Sequence, residues 1–282
     1  MNIFQKLIER IPNPYETQTE TEQSPHSILS TRDVVPLTLG LCEDGLPVRI
    51  DLNDPELQPI ALISDNAQDN TLLFGHILGD LLSEHNADDV QFALLKRRES
   101  HWQEQLAAAE ERGLMLSLDS INPRREWEFL YQAAEIAEQR HNGDEDIHPP
   151  LLILIEDLAV LAHSSSDFRL NFEWLCLYGP PVGLHLMAAL TTQDALQLGR
   201  WLRYFPVRML GPLSPAHGER FGLHGALPAS PRSGRFTRSQ GNSEGSGTTF
   251  AVWSTTEWLY FRLNPQEAHN QKVHESRTGE IE

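Results

Sequence analysis

Residues Pro59 to Leu82 read PIALISDNAQDNTLLFGHILGDLL, and this stretch decides how the rest of the chain is understood. Ile60-Ala61-Leu62-Ile63 is a short apolar run of buried-strand type. Ser64 to Asn70 is polar, and from Thr71 the apolar positions Leu73, Phe74, Ile77, Leu78, Leu81 and Leu82 recur at helical spacing. A strand, a seven-residue loop and a helix form the setting of a phosphate-binding loop, GxxxxGK[ST]. With Thr71 as the Ser/Thr of that frame, the first Gly position holds Ser64 and the last holds Asp69. The Lys position holds Asn70, and Asp65, Asn66, Ala67 and Gln68 fill the interior. Only the hydroxyl is kept.

The loop's chemistry depends on glycines that let N–H groups surround the phosphates, and on positive charge from Lys and the helix N-terminus. Losing the Lys removes a charge-assisted hydrogen bond of roughly 1.5–3 kcal/mol. A carboxylate such as Asp69 about 4 Å from a phosphate adds a repulsion on the order of 4 kcal/mol at an effective dielectric of 20. Together these weaken phosphate binding by about a thousandfold or more. The competing reading is an ordinary strand–loop–helix turn, with Asp and Asn capping the helix.

The second chemical feature is LLILIEDLAVLA, a fully apolar strand from Leu151 that closes on Glu156-Asp157. The two carboxylates read either as metal- and water-handling groups or, for Asp157, as the cap of a helix beginning at Leu158.

The chain has 282 residues, 40 Asp+Glu against 22 Lys+Arg, and a formal charge of −18. Such a surface repels nucleic-acid phosphates, and the basic groupings (Lys96-Arg97-Arg98, Arg124-Arg125, and Arg232, Arg235 and Arg238) are small. Cys42 and Cys176 stand in no metal or redox spacing, and the twelve histidines form no paired ligand pattern. His185 reads as a buried core histidine. No apolar run approaches the roughly 20 residues that span a bilayer, and no signal-peptide core is evident, so a cytoplasmic location is expected.

Residues 1–32 begin with an amphipathic helix that sets Ile3, Phe4, Leu7, Ile8 and Ile11 on one face, a docking element for protein, followed by a polar linker. Residues 33–264 alternate apolar strands with helices, which predicts an α/β domain with a mostly parallel sheet covered by helices on both faces. A hairpin over residues 37–52 opens it and a C-terminal β-hairpin over 249–263 closes it. Residues 265–282 read as a disordered tail.

In order along the chain, these features resemble one family. PLTLGLCEDGLPVRIDL (Pro36 to Leu52) followed by PIALISDNAQDNTLL is similar to the opening of FtsK/SpoIIIE-type ATPase domains, especially those of type VII secretion ATPases such as EccC. VQFALLKRR, the helix Arg125 to His141, and PPLLILIEDLAVL are similar to that family's second strand, long helix and Walker B strand. Gly183-Leu184-His185-Leu186 resembles its G-hGIHL strand, and Phe205 to Arg208 the strand after it.

The resemblance covers roughly Val34 to Gly225 and implies a RecA-like P-loop NTPase fold. Carried over by position, Thr71 and Glu156 become vestigial metal-shell positions, Asp157 the catalytic carboxylate, and Thr191 the sensor, with Gln193 two residues late. The phosphate cradle, the cation, the water-orienting carboxylate and the sensor each depart from the working type, and the Thr71 hydroxyl alone is kept. The expectation is therefore a pseudo-ATPase with degenerate Walker A and Walker B motifs, no cofactor, and an assembly or regulatory role. Its partner would be a protein, such as an active sister ATPase or another copy of itself. The alternative is a divergent ATP- and magnesium-dependent motor that draws a substitute cation from Arg97, Arg98 or another subunit.

Overall fold

The computed structural model describes residues 35–54, 59–95, 102–116, 126–143, 149–159, 166–223, 248–253 and 258–263. The chain divides into two units, Met1–Asp33 and Val34–Glu282, and every described residue belongs to the second. The Ile3–Ile11 helix, all three basic groupings and the 265–282 tail lie outside the described residues.

The strands are β1 (Pro36–Leu41), β2 (Pro47–Asp51), β3 (Ile60–Ser64), β4 (Gln91–Leu95), β5 (Leu151–Ile155), β6 (Leu184–Thr191), β7 (Val207–Leu210), β8 (Thr248–Trp253) and β9 (Trp258–Leu263). The helices are α1 (Ala67–Glu84), α2 (Gln103–Glu111), α3 (Glu126–Asn142), α4 (Ser166–Tyr178), α5 (Thr192–Gln197) and α6 (Pro215–Arg220).

All nine described strands form one sheet in the order β2-β1-β9-β8-β7-β3-β6-β5-β4. The pairings β7–β3, β3–β6, β6–β5 and β5–β4 are parallel. The pairings β2–β1, β1–β9, β9–β8 and β8–β7 are antiparallel. The expected mostly parallel sheet is thus half parallel and half antiparallel. The reason lies in connection length: the short links within β1–β2 and β8–β9 permit only antiparallel return, whereas parallel neighbours need a crossover. Both hairpins are legible in the sequence as hairpins, but their addition to the same sheet is not.

Helices cover both faces, as the alternation predicts. Strand residues alternate between the two sides, so Ile60 and Leu62 face α1 and α2 while Ala61 and Ile63 face α3 and α4. On one side Leu73, Phe74, Ile77, Leu78 and Leu81 of α1 bury fully against the sheet. On the other, Leu130 and Ala137 of α3 meet Phe172 and Leu175 of α4. Each fully buried Leu or Phe contributes about 1.5–3 kcal/mol, so this two-sided core holds β3 and β6 rigidly at the centre.

Polar ties fix α1 to the antiparallel half. Asp80 accepts the Thr38 N–H at 2.9 Å, and His85 Nε2 lies 3.0 Å from the Pro36 carbonyl. Arg112 donates to the carbonyls of Leu82 and His85, satisfying acceptors that a helix C-terminus leaves open. Among the described residues, no helix is long and apolar enough to cross a membrane.

Candidate functional site

Ligands of open α/β sheets bind beyond the carboxyl ends of the parallel strands, so the site is built from the segments that leave β3, β6, β7 and β5. The helix after β3 begins earlier than the sequence suggests. α1 starts at Ala67 rather than Thr71, and Asn66 is its N-cap, with Oδ1 accepting the Gln68 N–H at 3.1 Å. Only Asp65 and Asn66 separate strand from helix. The cause is local. No glycine occurs between Ser64 and Thr71 to favour open-loop dihedrals, and the Asn66 side chain is able to cap a helix that starts at Ala67.

The anticipated loop residues therefore do other work. Ser64 is fully buried and its hydroxyl donates to the Asn66 carbonyl at 2.6 Å. Asp69 lies in the first turn of α1, and its N–H donates to the Asn66 carbonyl at 3.0 Å. Asn70 is 3% exposed, and its Nδ2 donates to the Leu190 carbonyl on β6 at 2.9 Å. The Thr71 hydroxyl donates back to the Ala67 carbonyl at 3.1 Å.

Asp65 is the hub. Its N–H donates to the Pro212 carbonyl at 3.0 Å, and its carboxylate accepts three donors from two other strand ends. Oδ1 takes the Thr192 hydroxyl and His217 Nδ1, each at 2.7 Å, and Oδ2 takes the Ser214 N–H at 2.7 Å. Partial burial pushes the carboxyl pKa up. The bonds from Thr192, Ser214 and His217, with the nearby His217 charge, outweigh burial and hold it below its ordinary value. The side chains of His217 and Asp65 remain 38% and 33% exposed, so the cluster sits at the protein surface.

Gly211 lets these ends converge. Its N–H donates to the Ile63 carbonyl at 2.7 Å, and a Cβ there would lie 2.8 Å from the Ser64 Cβ.

The remaining anticipated residues are placed as follows. Thr191 pairs with Ser64 across β3–β6 and is the N-cap of α5, accepting the Asp194 N–H at 3.2 Å. Gln193 is exposed within α5. Asp157 accepts the Ala159 N–H at 3.0 Å where a helical turn starts at Leu158, and the Glu156 N–H donates to the Leu95 carbonyl at 3.0 Å. Because β6 lies between β3 and β5, Glu156 and Ser64 are separated by two strand spacings, about 10 Å. The structure brings Ser64, Asp65, Asn70 and Thr191 to one edge and sets Glu156-Asp157 two strands away. Among the described residues, no three His, Cys, Asp or Glu side chains form a metal-holding group.

Sequence reasoning missed Thr192, Ser214, His217 and Gly211. Ser214-Pro215 does announce a helix start, but nothing local signals that His217 meets a carboxylate 152 positions away.

An α/β sheet of this topology has the fold of P-loop ATPase domains. Solved structures bear this out. The cytoplasmic domain of EssC matches over 93% of this chain and 50% of its own, with 15% identity and a TM-score of 0.52. EssC (ATPases 2 and 3) from Geobacillus thermodenitrificans matches over 83% and 42%, with 18% identity and a TM-score of 0.53. Thermomonospora curvata EccC (ATPases 2 and 3), in complex with a signal sequence peptide, matches over 80% and 40%, with 12% identity and a TM-score of 0.53. The chain spans half or less of the length of these three. No family model matches the sequence, and no curated protein does.

Proposed function

We propose that this chain is a P-loop-ATPase-fold domain that no longer binds or hydrolyses ATP and acts as a protein-interaction, assembly or regulatory subunit. The observation that carries this reading is Asp65: a carboxylate stands at the end of β3 and uses the donors of Thr192, Ser214 and His217 for itself. A Mg–triphosphate needs converging N–H groups, a cation and a metal-facing hydroxyl at that place. The residues present do not fit it. The Gln68 and Asp69 N–H groups bond to Asn66, the Asn70 amide is buried against Leu190, and the Thr71 hydroxyl is turned to its own helix. The net charge of −18 adds general repulsion toward polyanions.

A protein partner is supported by the kind of protein the fold resembles, since one EccC is solved with a signal sequence peptide bound. The test is isothermal calorimetry of the full chain with ATP and magnesium, followed by a phosphate-release assay. No saturable heat and no turnover are expected. Micromolar binding, or hydrolysis that is lost on substituting Thr71 or Glu156, would overturn the reading.

A further inference from the structure

α3 ends on Asn142, and Gly143 follows with φ +71°, in the left-handed region where a glycine closes a helix. This is the one Asn–Gly step in the 282 residues of the chain. His141, Asn142 and Gly143 are all exposed. The Gly143 N–H donates to the Arg140 carbonyl at 3.3 Å, long beside the usual spacing of about 2.9–3.0 Å.

Two properties combine at this turn. A glycine has no Cβ to shield its nitrogen, or to restrict the dihedrals through which that nitrogen meets the preceding side chain. A helix end frays, so its last turn samples conformations closed to the middle of a helix. The other described asparagines are held differently. Asn70 and Asn171 are each 3% exposed, and Thr71 and Phe172 follow them. Asn66 and Asn86 accept the N–H groups of Gln68 and Asp88, and an alanine follows each. Asn53 is half-buried and precedes Asp54.

We propose that Asn142 is a site of spontaneous deamidation, and that its product loosens the end of α3. A solvent base takes the proton of the Gly143 N–H, and the nitrogen attacks Cγ of Asn142. The Cγ–Nδ2 bond breaks, Nδ2 takes up a proton and leaves as ammonia, and a cyclic imide joins the two residues. Water opens the imide at either carbonyl, giving aspartate or isoaspartate. The balance is one water consumed, one ammonia released and one carboxylate formed.

The new carboxylate stands at a helix C-terminus, the negative end of the helix dipole. In isoaspartate the backbone also runs through the side-chain carbons, which inserts a methylene into the last turn. Arg140, in that same turn, donates to the carbonyls of Pro149 at 2.9 Å and of Val182 and Gly183 at 3.3 Å each. It ties α3 to the segments that lead into β5 and β6. Deamidation therefore weakens the seat of that guanidinium.

The full chain is aged at mildly acidic and mildly alkaline pH, digested with trypsin, and the peptide after Arg140 is followed by mass spectrometry. Asn142 is expected to gain about one dalton at least about tenfold faster than any other described asparagine. The gain should be faster at alkaline pH, with isoaspartate shown by isoaspartyl methyltransferase labelling. The rate in the folded chain should lie within about tenfold of the rate in urea, because the turn is exposed. Gly143→Ala should slow it at least about tenfold, and Asn142→Gln, at an exposed position, should do the same without altering the turn. Asn142→Asp should lower the melting temperature by about 1–3 °C. Protection by folding of more than about tenfold, a rate no greater than that of the other asparagines, a rate unchanged in both variants, or an unchanged melting temperature in Asn142→Asp would overturn the proposal.

Discussion

The carboxylate of Asp65 accepts the hydroxyl of Thr192 at 2.7 Å, joining residues 127 positions apart at the ends of two neighbouring parallel strands. Through the same carboxylate, Ser214 and His217 bring in the end of a third strand. One acidic side chain therefore ties together the ends of three neighbouring parallel strands.

Asp65→Ala should lower stability by about 1–3 kcal/mol, because three donors lose a charged acceptor at a partly solvated site. Thr192→Val should cost about 1 kcal/mol. In urea denaturation the double variant should fall short of the sum by at least ~0.5 kcal/mol, since the two residues share a bond.

The acid limb of stability should report the same group. A carboxyl held below its unfolded value contributes stability that is fully present above about pH 4 and is lost as pH falls through its folded pKa. The stability difference between the natural chain and Asp65→Asn should therefore be constant near neutrality and shrink below about pH 4. A difference independent of pH down to unfolding would contradict the hydrogen-bond assignment.

Restoring the motif's letters should not restore its chemistry. Asn70→Lys places a cation where a 3% exposed amide bonds to Leu190, and should destabilise by about 3 kcal/mol or more unless the introduced amine is neutral. Combined with Asp69→Gly it should still show no ATP heat in calorimetry, because α1 continues to start at Ala67 and Asp65 continues to hold its donors.

Gly211→Ala should cost about 1–3 kcal/mol, since the added methyl would stand 2.8 Å from the Ser64 Cβ between two buried strand ends. Thermal melts would show it. Gly45→Ala serves as the comparison, because there the cost is one of dihedral strain in an open turn with nothing near the added carbon.

Much of the architecture is readable from the chain. Buried strands such as Leu151–Ile155 and Leu184–Thr191 are continuous apolar runs, and α1 repeats its apolar residues at helical spacing. The start of α1 is not readable, because a polar run of Asp, Asn and Gln suits a loop and a capped first turn equally well. The site is legible in outline only. Ser64, Asp65, Asn70 and Thr191 do stand near it, but the organising role falls to Asp65, whereas the motif frame draws attention to Asp69.

What the sequence determined by itself is what depends on neighbours a few residues apart: strand and helix identity, the two hairpins, and the absence of glycines and lysine from the stretch after β3. Pairing β8–β9 between β1 and β7, and bringing His217 and Thr192 onto one carboxylate, were decided only by the tertiary structure. The physical reason is that such contacts are selected by whole-sheet burial and by the need to satisfy polar groups at converging strand ends. Neither condition leaves a mark on local sequence.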